Sequence, residues 1–318
     1  MVYWRCKQPI TNIASLMYTN TIPVFARFQW LNHPRVENIL SKFLKSPERG
    51  RKGYDKVLMF KWLIYKHLMR CSYRDLESMT DIDYSTFIKF RQRLLLTHWF
   101  SKVFHLFSSI IARNIGSITA IVDSSFVETY SKHDENGSEY SGYKKKNGFK
   151  LHQIIDFKTR LPLLQATTGG ARSDIVWGAY LIRAAPEEWK INGFLADKAY
   201  DSEEFVRSLR QKWKGVRVGI PVRHTIHERI RPWPPPVIRN RQAKESNRCL
   251  RRPFLNKRTE IERYFSRKKR VFNLGEERTR QLKNFRANCN MVAIMEILEW
   301  STKPQILLYY SPNSLDLG

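Results

Sequence analysis

Two short apolar runs, each followed by an aspartate, constrain the fold of this chain more than any other feature. Ile118–Val122 is rich in β-branched residues and precedes Asp123, and Asn192–Ala196 precedes Asp197. Runs of this length and composition are typical of buried strands. Strand ends hold side chains rigidly while leaving them open to a cleft. We therefore expect the two carboxylates to converge at one edge of a sheet.

The sequence around these runs alternates strands with helices. A hairpin-sized connection joins the strand candidates Phe149–Asp156 and Leu161–Thr167, and helices are predicted over Asp174–Ala184 and Glu203–Trp213. A further strand is predicted over Val216–Val222. Alternation of this kind predicts an α/β fold, with a mixed sheet flanked by helices.

The chain before the sheet has a helical pattern and predicts an all-α N-terminal domain. A short helix is predicted after a Ser72 cap, followed by a turn at 81–84 and a second helix capped by Ser85. Two short helices across a tight turn have the outline of a helix-turn-helix. The second helix either contacts DNA or forms the solvated face of a structural hairpin. It carries the basic residues Lys89, Arg91 and Arg93.

The charge of the chain predicts a polyanionic partner. Lys and Arg number 56 against 29 Asp and Glu, which gives a formal net charge of +27. Because a solvated surface explains only a modest excess, we expect double-stranded DNA as the partner, ahead of an anionic membrane surface. Residues 223–258 are rich in Arg and contain Pro234–Pro236. This basic loop is either a solvated connection or a grip on the DNA backbone.

Cysteine spacing and hydropathy predict a cytoplasmic, nucleoid-associated protein. The four cysteines are scattered, with neither a zinc spacing nor a disulfide framework. The first ten residues lack the apolar core of a secretory signal. The most apolar stretch, Leu94–Ile111, is interrupted by Lys102 and two histidines and predicts a core helix rather than a membrane span.

A third acidic residue, Glu262, lies on a predicted basic helix. At about 100° per residue, Arg258, Glu262 and Lys269 fall on one face, whereas Glu260 points away from it. Apolar residues at 261, 265 and 272 form a neighbouring stripe that anchors the helix to the sheet. On spacing alone, a salt-bridged surface helix is the competing interpretation.

Three carboxylates from separate elements suit a site that holds two Mg²⁺ ions for phosphoryl transfer, with Mn²⁺ as a substitute. Other polar residues near element ends have simpler expected roles. Asp156 is predicted to form a turn, Asp174 to cap a helix, Asp201 to cap the next helix, and His152 to pack within a strand.

Several motifs occur in order along the chain. They are Asp123-Ser124-Ser125, Gly148-Phe149-Lys150-Leu151-His152 with Asp156, Ala196-Asp197-Lys198-Ala199-Tyr200-Asp201-Ser202, and Arg258, Glu262 and Lys269 separated by three and six residues. Together they resemble the DDE transposases of prokaryotic insertion sequences, in the large group of insertion sequences four and five. Two departures are Leu255, where the family often has Tyr, and Ala199, where it usually has Gly.

The resemblance implies an RNase H-like catalytic domain in which Asp123, Asp197 and Glu262 hold two divalent ions. It further implies that Arg258 and Lys269 contact DNA near the active site, and we add Lys198 and Arg263 as neighbouring DNA contacts. The expected partners are terminal inverted repeats and target DNA, bound by a homodimer that joins two ends. The alternatives are a structure-specific RNase H-like nuclease and a domesticated, non-catalytic DNA-binding protein.

These patterns predict three segments. Residues 1–115 form the helical domain, with DNA binding or dimerisation as its role. Residues 116–300 form the catalytic domain, which includes the basic loop, and residues 301–318 form a C-terminal tail.

Overall fold

The computed structural model describes residues 23–45, 53–130, 136–221 and 256–303. Almost all of the predicted basic loop, Leu255 and most of the predicted tail lie outside these ranges. The chain divides into two compact units, residues 1–93 with 298–306 and residues 94–297 with 307–318. The functional domain assignments made from the sequence stay predictions.

The described part of the first unit is helical. Asp55, Ser72 and Asp83 begin successive helices by accepting hydrogen bonds from backbone N–H groups. The prediction that Ser85 caps the last of these is wrong, because the Asp83 carboxylate accepts from the Ser85 N–H. Asp81 makes the turn with φ of 55°, a conformation that Asp tolerates without a glycine. After a 3₁₀ helix at Pro23–Asn32, the helices are α1 (Pro34–Phe43), α2 (Lys56–Met69), α3 (Tyr73–Thr80) and α4 (Tyr84–Leu96).

The second unit contains a mixed sheet flanked by helices, as the sequence predicted. Its elements are α5 (Trp99–Ile115), β1 (Ser117–Thr129), β2 (Glu139–Ser141), β3 (Lys146–Asp156), β4 (Pro162–Gly169), α6 (Asp174–Ala184), β5 (Lys190–Ala196), a 3₁₀ turn (Lys198–Tyr200), α7 (Glu203–Lys212), β6 (Arg217–Gly219), α8 (Thr259–Val271), β7 (Glu276–Glu277) and α9 (Leu282–Ser301).

The strand order is β2-β3-β1-β5-β6, with β4 on β3 and β7 on β1. The pairs β1–β3 and β3–β4 are antiparallel, whereas β1–β5 and β5–β6 are parallel. Strands β1, β3 and β5 are therefore central, and their apolar side chains form the core of this unit. The short strands β2 and β7 were not predicted, and β6 is shorter than expected.

Three predicted details differ in the structure. Strand β1 continues to Thr129, so Asp123 lies within it rather than at its end. The cap of α7 is Ser202, whose hydroxyl accepts from the Phe205 N–H, and not Asp201. Asp174 is the first residue of α6, after the cap position Ser173. Asp156 does form the predicted turn, since its carboxylate accepts from the backbone and hydroxyl of Thr159.

Within the described ranges, no single helix has the length and apolar content to cross a membrane. The bent pair α4 and α5 passes that test jointly, by length and composition only.

Candidate active site

Asp123 and Asp197 lie at neighbouring positions of two parallel strands. Val122 pairs with Ala196 in the β1–β5 register, and the two aspartates are the next residues on each strand. Neighbouring strands lie about 4.8 Å apart, so the carboxylates share one region of space. Strand β5 ends at Ala196, and Asp197 begins the 3₁₀ turn by accepting a 2.7 Å hydrogen bond from the Lys198 N–H. The predicted convergence of these two acids is therefore present in the fold.

The environment of Asp123 disfavours its charged form. Burial raises the pKa of this carboxyl to about 7, and the nearby carboxylates of Asp197 and Asp174 act in the same direction. A 2.7 Å hydrogen bond from the Ser124 N–H and the guanidinium of Arg258 act against this rise in pKa. Burial is thus the main reason that the charged carboxylate is disfavoured, and a bound cation would favour that charged form.

Helix α8 brings Glu262 to the same region through Arg258. One guanidinium nitrogen, Nη1, lies 3.2 Å from Oε1 of Glu262 and 3.9 Å from Oδ1 of Asp197. The predicted shared face of Arg258 and Glu262 is confirmed by this contact. The Glu262 side chain is 58% exposed, so it remains open to a ligand from solvent.

The apolar stripe predicted on this helix is also confirmed. Ile261, Phe265 and Phe272 are buried, as expected for the surface that anchors α8. Glu260 faces elsewhere, because its carboxylate pairs with Arg160 at 2.8 Å.

The other predicted DNA contacts have different surroundings. Lys269 donates a 3.0 Å hydrogen bond to the Phe126 carbonyl of β1, and burial together with Lys144 lowers the pKa of its amine. Lys198 is exposed directly beside Asp197, and Arg263 is exposed while pairing with Glu260. In the first unit, Lys89 and Arg93 are exposed and Arg91 is half-buried on α4.

A polar cluster on the opposite face of β1 was missed by the sequence analysis. The Ser124 hydroxyl donates a 2.6 Å hydrogen bond to Oδ1 of Asp174, which lies 3.0 Å from the Lys150 amine and 3.6 Å from Nδ1 of His152. The prediction that Asp174 serves as a helix cap is wrong, because its carboxylate faces this cluster instead. The sequence did offer one indication of this role, because Asp174 lies five residues after the end of β4, and Asp197 likewise follows the end of a strand.

His152 is fully buried within its strand, as predicted, and is held neutral. Its Nε2 lies 3.0 Å from the Thr168 hydroxyl, and its ring stacks on Trp177 at 5.9 Å between centroids. Burial lowers the pKa of His152 to about 4, Lys150 adds to this, and Asp174 opposes it.

Tyr200 lies close to three of the acidic residues, Asp123, Asp174 and Asp197. Its side chain is fully buried, and its hydroxyl has no hydrogen-bond partner among the described residues. Burial, together with the carboxylates of Asp123, Asp174 and Asp197, raises its pKa well above the ordinary value. The hydroxyl is thus a neutral, unused donor close to the site.

The family of the chain follows from a match that covers more than half of it. Residues 116–298 match the family described as "Transposase DDE domain". The chain belongs to the DDE transposase family. The matched region begins just before β1 and ends within α9, so it contains the whole sheet and all three candidate acids.

Other comparisons are more distant. A solved chain described as "Cryo-EM structure of piggyBac transposase synaptic complex with hairpin DNA" is similar at 13% identity, with a TM-score of 0.45. The similarity covers 88% of the present transposase and 73% of that chain. No curated protein sequence matches.

DDE transposases use divalent metal ions. Carboxylate oxygens are the ligands that Mg²⁺ prefers, so the chemistry of Asp123, Asp197 and Glu262 fits such an ion. The adjacent placement of Asp123 and Asp197 in the β1–β5 register fits it as well. Among the described residues, no group of three or more His, Cys, Asp or Glu side chains is clustered tightly enough to hold a metal. The Arg258 guanidinium lies between the second and third acids and pairs with both carboxylates.

Proposed function

We propose that this DDE transposase cuts and joins the ends of a prokaryotic insertion sequence in the group of insertion sequences four and five. Asp123, Asp197 and Glu262 are its catalytic acids, on an RNase H-like domain. The observation that carries the proposal is the adjacent placement of Asp123 and Asp197 on β1 and β5, with Arg258 joining Asp197 to Glu262.

The three carboxylates would hold two Mg²⁺ ions, or Mn²⁺ in their place. When bound, such ions stabilise the charge on the attacking and leaving oxygens at phosphorus. The chain itself supplies orientation. The Ser124 and Lys198 N–H groups each hold one carboxylate oxygen of the preceding aspartate, so both carboxylates have a preferred rotation before any ligand arrives.

Two in-line displacements account for the activity. In the first, a water oxygen bonds to phosphorus at the element end, and the bond from phosphorus to the 3′ oxygen breaks. That oxygen takes up a proton and becomes a free 3′-hydroxyl. In the second, this hydroxyl loses its proton, attacks a target phosphorus and displaces the 3′ oxygen of the target strand. Both steps have the same geometry at phosphorus, so one site serves both.

The DNA partner follows from charge. With a net charge of +27, the chain would release many counterions on binding a duplex, which makes affinity strongly dependent on salt. Lys198 is exposed beside Asp197, and Arg263 is exposed on α8 while pairing with Glu260; both are proposed to contact backbone phosphates. Arg258 and Lys269 are also proposed to contact DNA. Bound DNA would displace the carboxylates that now pair with Arg258 and the Phe126 carbonyl that now accepts from Lys269.

Recognition of the terminal inverted repeats is proposed for the helical region, through the exposed cations of α4. A homodimer is proposed because joining requires two ends at once. The unidentified repeats can be supplied by using the DNA that flanks the gene itself.

The test is cleavage and strand transfer by the full chain, with Mg²⁺ and a duplex that carries those flanking sequences. The wild type and Asp197→Asn are compared, and DNA binding is measured for both by gel shift. Transfer products that disappear in the variant while binding persists support the proposal. Cleavage without joining favours a nuclease. Binding without chemistry, in Mn²⁺ as well, indicates a non-catalytic DNA-binding protein.

A further inference from the structure

A row of polar side chains crosses the sheet from Asp123. Asp123 pairs with Gln153 on β3, and Gln153 pairs with Gln165 on β4. Directly opposed residues in antiparallel strands point to the same face, so the three side chains lie in line. The amide of Gln153 donates a 2.9 Å hydrogen bond to Gln165, which donates a 2.5 Å hydrogen bond to Asn290 on α9. The row therefore connects the position of Asp123 to the helices packed on that face.

Helix α8 joins this row through a buried lysine. Lys268 is fully buried, and its amine donates a 3.0 Å hydrogen bond to Oε1 of Gln153. The same amine lies 3.3 Å from Oε2 of Glu296, which also accepts a 2.7 Å hydrogen bond from the Tyr264 hydroxyl. Glu296 is buried on α9. One ammonium group thus links the helix that carries Glu262 to the strand residue opposite Asp123.

A buried ion pair is a costly way to attach a helix. Removing two charges from water offsets most of their attraction, and apolar residues of similar volume commonly hold an element equally well. Helix α8 already has an apolar stripe for that purpose. Apolar contacts tolerate small rotations of a helix about its axis. The hydrogen bonds of Lys268 are directional, so they form only at one rotation of α8. A slip of one residue would turn the helix by about 100° and shift it by about 1.5 Å, and the bond to Gln153 would be lost.

We propose that Lys268 is a positioning residue that sets the rotation of α8 against Gln153 and thereby aims Glu262 at Asp123 and Asp197. The inference rests on the proposed function, since the orientation of Glu262 matters only if Glu262 is one of the catalytic acids. Lys268 touches neither DNA nor the reacting atoms in this role. Its effect reaches the site through the backbone of α8, on which Glu262 lies six residues earlier.

The test uses Lys268→Met/Glu296→Gln, which removes both charges and leaves an acceptor for Tyr264. Because neither partner charge stays buried alone, this variant is expected to fold. The control is Phe285→Leu, which trims a fully buried ring that stacks on Phe149 of β3 at 4.8 Å. For each full-length protein, one measures Tm, affinity for the flanking-sequence duplex, and the Mg²⁺ concentration at half-maximal cleavage.

The double variant is expected to need about 10- to 100-fold more Mg²⁺, the usual effect of losing a residue that orients a metal ligand, with unchanged DNA affinity. Phe285→Leu is expected to lower Tm without moving the Mg²⁺ dependence. Equal Mg²⁺ dependence for the wild type and the double variant would overturn the inference while leaving the proposed function intact. An equal rise in the required Mg²⁺ concentration for the double variant and for Phe285→Leu would overturn the inference too, because a loss of stability would then explain both. A wild type without metal-dependent cleavage would overturn the proposed function and the inference together.

Discussion

Asp123 and Asp197 are adjacent in the sheet although one lies within its strand and the other follows the end of its strand. Strand β5 ends beside the middle of β1, so Asp197 leaves the β1–β5 ladder directly next to Asp123. The two carboxylates stay close together because the hydrogen bonds between β1 and β5 fix the backbones that carry them.

Asp123→Asn should stabilise the metal-free protein at alkaline pH. The pKa of Asp123 is raised from 3.8 to about 7, so its charged form destabilises the folded state increasingly as pH rises from about 4 to 7. At pH 8 we expect a gain of about 2 to 4 kcal/mol in the free energy of unfolding, and little change at pH 4. Denaturant unfolding in EDTA at both pH values measures this. An equal effect at pH 4 and pH 8 would contradict the electrostatic explanation.

Tyr200→Phe should stabilise the metal-free protein, because the buried hydroxyl has no partner in the described structure. Removing an unsatisfied polar group is expected to increase the free energy of unfolding by about 1 kcal/mol. Tyr264→Phe is the matched control, since that hydroxyl donates to Glu296 and its loss should destabilise by a similar amount. The two variants should thus shift Tm in opposite directions. A loss of stability in both would mean that Tyr200 has a partner, such as an ordered water.

Protonation of His152 should destabilise the protein in mild acid. Burial lowers the folded pKa to about 4, from an ordinary value of 6.5. The stabilisation from a neutral His152 is complete above pH 6.5 and is lost as pH falls towards 4, on the order of 2 to 3 kcal/mol. His152→Gln keeps a partner for Thr168 but does not titrate there. Its unfolding free energy should therefore depend less steeply on pH between 6.5 and 4, and parallel curves for the two proteins would refute this assignment.

Gly178→Ala should destabilise the protein although Gly178 lies inside helix α6. A Cβ atom at this position would meet Cε1 of Tyr200 at 2.6 Å and Cε2 of Phe205 at 3.2 Å. The helix preference for Ala is worth about 1 kcal/mol, and overpacking of this kind costs about 1 to 3 kcal/mol. We expect a lower Tm for Gly178→Ala. Gly142→Ala, where the new atom has no neighbour within 4 Å, should leave Tm nearly unchanged.

Much of the fold could be predicted from local patterns. Helix α6 has the predicted bounds, and the β3–β4 hairpin lies where alternating strand and turn residues indicated. The Ser72 cap and the apolar face of α8 follow in the same way from residues close together in the chain. These features depend on contacts within one or two turns, and such contacts leave a periodic signal.

The candidate site was predicted only in part. The three candidate acids could be singled out because each lies in a distinct local context, and Arg258 because it shares a helical face with Glu262. Strand β1 continues beyond Asp123 because it pairs there with β3 and β7. The residues around position 123 do not by themselves indicate this pairing. Asp174 was assigned to a cap for the same reason, since its partners Ser124, Lys150 and His152 belong to other strands.

The sequence alone thus determined most of the element types, the mixed sheet, the choice of the three candidate acids and the basic character that favours DNA. The pairing of strands set the β1–β5 register that brings Asp123 beside Asp197. The same packing buried Lys268 in the last turns of a basic helix, although lysine side chains are almost never fully buried unless they are paired. The Lys268–Gln153 contact joins residues 115 positions apart. Contacts at that separation form only when the sheet and helices assemble, so their free energy has no counterpart in local sequence preference.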